Sequence, residues 1–118
     1  MSTFRDLKMW QKPMQLVTNF YQETKSFPKE EIYGLTSQIR RASISIPSNI
    51  AEGFGRQGKK DYLRFLNVAI SSLFELQTQL EISKNLYYLE QSKFDILFED
   101  TREIERMLSS YIKKIKKS

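Results

Sequence analysis

The stretch Gln38-Ile39-Arg40-Arg41-Ala42-Ser43-Ile44-Ser45-Ile46-Pro47-Ser48-Asn49-Ile50-Ala51-Glu52-Gly53 decides the fold. Apolar side chains at Ile39, Ala42, Ile46, Ile50 and Phe54 recur three and four residues apart, the spacing of one helical stripe. Gln38, Arg41, Ser45, Asn49 and Glu52 repeat that spacing on an adjoining stripe. Polar groups so placed can bond to one another and to a facing helix. Glu75, on the next periodic segment, is the partner expected for Arg40 or Arg41, because a charge taken from water must be paired. Gln38, Arg41, Ser45, Asn49, Glu52 and Glu75 therefore read as a structural polar network. Pro47 predicts a bend or a gentle curve, with Ser43 and Ser45 placed to bond carbonyls there, and Gly53 or Gly55 predicts the helix stop.

Outward from this stretch, every segment reads as helix. Pro28, Glu30 and Glu31 predict the start of the same helix, which then covers residues 29–54. Before it, Trp10, Met14, Val17 and Phe20 or Tyr21 predict a helix over 9–26, with residues 1–8 a weakly ordered lead-in and Pro13 pressing the start later. After it, Tyr62, Phe65, Leu66, Ala69, Leu73, Leu76 and Leu80 predict a helix over 61–85. Leu63, Ile70, Phe74 and Ile82 fall off that stripe, so this helix is apolar over a wide arc and should be buried on two sides. In a chain this small a second copy supplies that burial most readily, which makes Leu63, Ile70 and Phe74 candidate interface residues. Phe94, Leu97, Phe98, Ile104, Leu108, Tyr111, Ile112 and Ile115 predict a last helix over 90–116, with Tyr87 and Tyr88 packed over the bundle end. The expected architecture is all-α: one domain, an antiparallel up-down-up-down four-helix bundle.

Composition narrows the chemistry. The chain of 118 residues has no cysteine and no histidine, which removes thiol chemistry and the commonest general base and metal ligand. No apolar run reaches the roughly 18 residues of a membrane span, and no secretory leader is visible at residues 1–10, so a cytoplasmic location is expected. The net charge of +5 suits an anionic partner. Gly53 to Lys60 matches G-x-G-x-x-G and nearly a phosphate loop, but those motifs need a strand before the glycines, and here a helix precedes them. Arg56, Lys59 and Lys60 in this loop, Lys113, Lys114, Lys116 and Lys117 at the chain's end, and Arg40 are the candidate phosphate contacts. No nucleophile stands beside an activator, and no cofactor or metal site is expected.

Tyr33-Gly34-Leu35-Thr36-Ser37, continuing through the opening stretch to Gly53, then Arg56, Phe65-Leu66, Ala69 and Ser72-Leu73-Phe74-Glu75, carries a resemblance. It resembles the four-helix-bundle proteins encoded in 23S ribosomal-RNA intervening sequences, and looks like their relatives, the accessory proteins of diversity-generating retroelements. The similarity spans about residues 7–112, with Pro13 as the one departure. The resemblance implies a ring-like homopentamer; for the retroelement relatives it implies a basic barrel that binds nucleic acid and docks a reverse transcriptase. The function expected is non-enzymatic, with RNA or DNA held by its phosphates and a reverse transcriptase or ribosomal component as protein partner. The alternative is a protein–protein scaffold that binds no nucleic acid.

Overall fold

A computed structural model describes residues 3–118. It has four helices, α1 (Lys8–Thr24), α2 (Leu35–Phe54), α3 (Lys59–Asn85) and α4 (Gln91–Lys117), and no strand among the described residues. The body measures 45 × 23 × 23 Å. The core is where the stripes of α2 and α3 meet: Ile39, Ala42, Ile46, Ile50, Leu66, Ala69, Leu73 and Leu76 are all 0% exposed. α4 adds Phe94, Leu97, Ile104, Leu108 and Ile112, and Thr101, also fully buried, fills the gap in its apolar stripe. The Thr101 hydroxyl donates to the Phe98 carbonyl at 2.6 Å and accepts from Gln77, so its burial leaves no polar atom unmatched.

Three helix starts differ from expectation, each for a local reason. Residues 3–7 are ordered: Thr3 accepts from the Arg5 N–H, and Asp6 accepts from the Thr3 N–H, closing a short 3-10 turn over Phe4–Asp6. That turn sets the Phe4 ring edge-on to Trp10, centroids 5.1 Å apart, and α1 begins at Lys8 with Pro13 buried inside it rather than delaying it. The second helix is not continuous from residue 29. Lys29–Glu31 is a separate 3-10 turn, and Glu31 reaches forward so that its carboxylate accepts the Leu35 N–H at 3.0 Å, capping α2. α3 begins at Lys59 rather than Asp61, because Gly58 takes φ +98°, open to glycine and strained for other residues, and turns the chain directly into the helix.

The face expected of α1 is also corrected, and the wide apolar arc of α3 is divided. In α1 the fully inward residues are Met9, Pro13, Leu16, Phe20 and Thr24, one step from the expected stripe of Trp10, Met14 and Val17. Those three line a groove of about 410 Å³ against Ile44, Pro47 and Ala51 of α2, a second apolar face whose members Met14 and Ile44 stay 42% and 41% exposed. In α3 Leu63 and Ile70 pack against the chain's own core, whereas Phe74 and Ile82 are 47% and 41% exposed. Pro47 is accommodated inside an α2 that runs unbroken to Phe54, the expected end, where Gly55 rather than Gly53 is the cap. No described helix is long and apolar enough to cross a membrane.

Candidate functional site

At one end of the body, Lys59 Nζ donates to the Ser118 carbonyl at 2.6 Å, Tyr62 meets Tyr111, and Leu7 to Met9 lie against Met107 to Lys114. These contacts bring the loop lysines and the C-terminal lysines of the sequence analysis onto one surface. Arg5 and Lys8, missed by sequence reasoning because they precede the expected first helix, join them. Ten of the nineteen basic residues of the chain gather here (Arg5, Lys8, Arg56, Lys59, Lys60, Arg64 and the four terminal lysines) against three of its fourteen acids.

All three acids are engaged. Asp6 accepts the Thr3 N–H, Glu52 pairs with Arg56 at 3.0 Å, and Asp61 pairs with Arg64 at 3.0 Å. Arg56 and Arg64 also lie over the Phe65 ring, at 4.9 and 4.6 Å from its centroid, which holds both guanidinium groups to the surface. Arg5, Lys8, Lys60, Lys113, Lys114, Lys116 and Lys117 are exposed and form no ion pair with another described residue. Beneath them the Tyr62 phenol, pushed up by burial and by its bond to the Tyr111 hydroxyl, stays protonated. The surface can therefore attract polyanions, and among the described residues it has no aromatic ring standing free for bases to stack on.

Arg40 does not belong to it. Its Nε donates to Thr24 Oγ1 at 2.9 Å and its guanidinium covers the Tyr21 ring at 4.5 Å, toward the opposite end. The three loop glycines also separate by role. Gly58 alone has positive φ, Gly53 is a close-packing position inside α2, and Gly55 needs neither, so the match to a nucleotide-binding fingerprint is coincidental.

The polar stripe of α2 forms two clusters along the α2–α3 seam. Arg41 donates to Gln38 Oε1 at 2.7 Å and Glu75 Oε2 at 2.8 Å; Asn49 donates to the carbonyl and hydroxyl of Ser45, which accepts from Ser72 at 2.8 Å. Glu52 stands apart, paired with Arg56. Gln79, unread in the sequence, joins through Glu75 at 3.4 Å with its Oε1 buried and unmatched. Ser72, Glu75, Gln79 and Ser83 repeat on α3 the spacing that marked the polar stripe of α2, and that signal could have found them. The Arg41 and Glu75 side chains are 59% and 41% exposed, so their bond is a surface ion pair, not an internal one. Arg41→Ala or Glu75→Ala is expected to change unfolding free energy by no more than about 1 kcal/mol in a denaturant titration. A loss well above that would mean the pair is shielded from water.

Along the outer side of α3 a shallow concavity of about 1010 Å³ runs from Gln57 past Leu63 and Val68 to Glu75. No group of three or more acidic side chains is spaced to hold a metal ion among the described residues.

A solved structure from Bacteroides thetaiotaomicron VPI-5482, a protein with unknown function from the S23 ribosomal protein family, has this fold. It matches with a TM-score of 0.83 at 24% identity, covering 89% of this chain and 98% of that one. No curated protein matches the chain. The family model for 23S rRNA-intervening sequence proteins matches residues 5–110, which include the α2 signature, the glycine loop and the α3 stripe. The chain belongs to the family of 23S rRNA-intervening sequence proteins.

Proposed function

We propose that this chain is a non-enzymatic, homo-oligomeric protein that binds RNA or DNA through phosphates at its basic end. The observation that carries the reading is the collection of seven exposed basic side chains without ion-pair partners on one end, where every acid is already engaged. Binding is electrostatic: each lysine that neutralises a phosphate releases a counterion, and sequence is not read. The bundle is antiparallel and up-down-up-down. Residue pairs 41/75 and 45/72 between α2 and α3, and 62/111 and 77/101 between α3 and α4, support it, since early residues of one helix meet late residues of the next. For assembly, the exposed Val68, Phe74 and Ile82 of α3 and the apolar α1–α2 groove are different surfaces. A ridge and a groove in different places make a head-to-tail contact that closes into a ring, a homopentamer as the sequence resemblance implies.

The test is binding to a structured RNA and to duplex DNA over a salt series, with mass read by light scattering. Affinity is expected to fall steeply with salt. Replacing Lys113, Lys114, Lys116 and Lys117 by alanine should make the logarithmic slope on duplex DNA shallower by roughly 0.9 for each phosphate that is no longer neutralised. An oligomer that binds neither nucleic acid at low salt would leave the scaffold reading instead. That reading draws on the same exposed α3 residues, with a reverse transcriptase or ribosomal component as the protein partner.

A further inference from the structure

The end opposite the basic one has a different chemistry. It is formed by the α1–α2 and α3–α4 connections, which meet where the Tyr88 hydroxyl donates to Glu31 at 3.0 Å and the Tyr88 ring lies 5.5 Å from Phe27. On this braced platform stand Tyr33 and Tyr87, 94% and 93% exposed, with Ile32 and Leu86 about half exposed beside them. The expectation that Tyr87 packs over the bundle end is thus wrong; Tyr88 alone does so. Tyr87 is also the one described residue other than glycine with positive φ, 64°. A bulky residue is strained in that conformation, where asparagine or glycine would sit easily, so the turn holds an aromatic ring outward against its own backbone preference.

From these observations we propose that the tyrosine end is a two-fold docking surface for a second copy of this chain. Exposed tyrosines on a rigid base are what interface centres are made of, because they bury much area while losing few rotamers. Charge selects the occupant. Residues 23–33 and 81–93 carry five acids and four bases, so the end is nearly neutral, with both signs on its rim. Such a surface can face its own copy, Lys25 and Lys29 against Glu30 and Glu90, whereas the basic end repels its copy. The same slight negative balance disfavours a nucleic acid, whose phosphates require cations. Size agrees as well. A 23 × 23 Å end pressed on its copy removes on the order of 1,000 Å² over both partners, the lower bound for a specific interface. The contact is separate from any ring built through helix sides, and it leaves a basic pole at each extremity.

The experiment compares the full chain with a Tyr33→Ser/Tyr87→Asn double variant by sedimentation over a protein dilution series. Serine removes one ring, and asparagine removes the other while tolerating the turn. At the concentrated end the parent chain is expected to have twice the mass of the variant, with unchanged helical circular dichroism and, at dilutions where neither associates through this end, a variant melting temperature no lower than the parent's. A Glu30→Lys/Glu90→Lys variant, which leaves the end with three acids against six bases and so makes it repel its copy, is expected to show the same halving at low salt. The ratio is twofold whether the unit that doubles is one chain or a ring, so failure of the ring reading leaves the test intact. Equal masses for parent and both variants at every concentration would overturn the proposal. So would equal masses with loss of binding to an unpaired oligoribonucleotide in the tyrosine variant, which would assign the rings to bases.

Discussion

Phe20→Ala is expected to destabilise the protein by about 3–5 kcal/mol. Phe20 is 1% exposed and is the largest of the side chains that α1 turns fully inward. Removing the ring forfeits its transfer free energy and leaves a cavity that a helix bundle cannot close without moving α1. That loss is a large part of the roughly 5–15 kcal/mol by which a domain is stable. It corresponds to a fall in melting temperature on the order of 10–20 °C. The control is the next residue. Tyr21 is 36% exposed and its ring lies under Arg40, so Tyr21→Ala costs about 1 kcal/mol, chiefly the cation–π contact. Both are read from denaturant midpoints at one fixed protein concentration, because self-association raises apparent stability. Equal effects at the two positions would put α1 in the wrong rotation.

Gly53→Val is expected to cost about 3 kcal/mol or more, through crowding instead of a cavity. A Cβ at position 53 would lie 2.8 Å from Phe65 Cβ, 2.9 Å from Tyr62 Cδ1 and 3.3 Å from the Tyr62 carbonyl. The first and last of these are fixed to the α3 backbone and cannot swing aside. Alanine is the informative companion, since two effects compete. Removing a helix-interior glycine gains about 1 kcal/mol of propensity, while overpacking costs about 1–3 kcal/mol. The contact at 2.8 Å makes crowding win, so Gly53→Ala is expected to be mildly destabilising. A stabilising Gly53→Ala would falsify the close approach of α2 to α3 at this level.

How much of this was legible depends on whether a residue's role is written in its periodicity. Ile39, Ala42, Ile46 and Ile50 repeat at helical spacing, and each is fully buried; the same holds for Leu66, Ala69, Leu73 and Leu76. Where polar or special residues take core positions, the pattern misleads. Pro13 and Thr24 occupy the inward face of α1, so the groove-lining Trp10, Met14 and Val17 looked like the core stripe. Gly53 and Gly55 looked equally like the helix stop, because glycine serves both as terminator and as contact point; Gly55 is the cap, and the neighbouring Phe65 marks Gly53 as the contact point. The cap that Glu31 gives Leu35 spans four residues across a turn, outside the usual cap pattern. For the basic end, the members in the loop and the last helix were readable as charges. Their meeting at one end is implied by the expected up-down-up-down order, whereas the contact of Lys59 with the Ser118 carbonyl was not legible.

The gathering of cations at one pole has a kinetic consequence. A body 45 Å long whose positive charge sits at one extremity is a permanent dipole, and a polyanion exerts a torque on it as well as an attraction. At 0.1 M salt the screening length is about 10 Å, far shorter than the molecule, so only the near pole feels the partner. On approach to the polyanion proposed as its partner, the molecule would tumble freely until the last nanometre and then be turned basic pole first. Lowering the salt lengthens the distance over which it is turned, so added salt slows productive encounters even where the final contacts are unchanged.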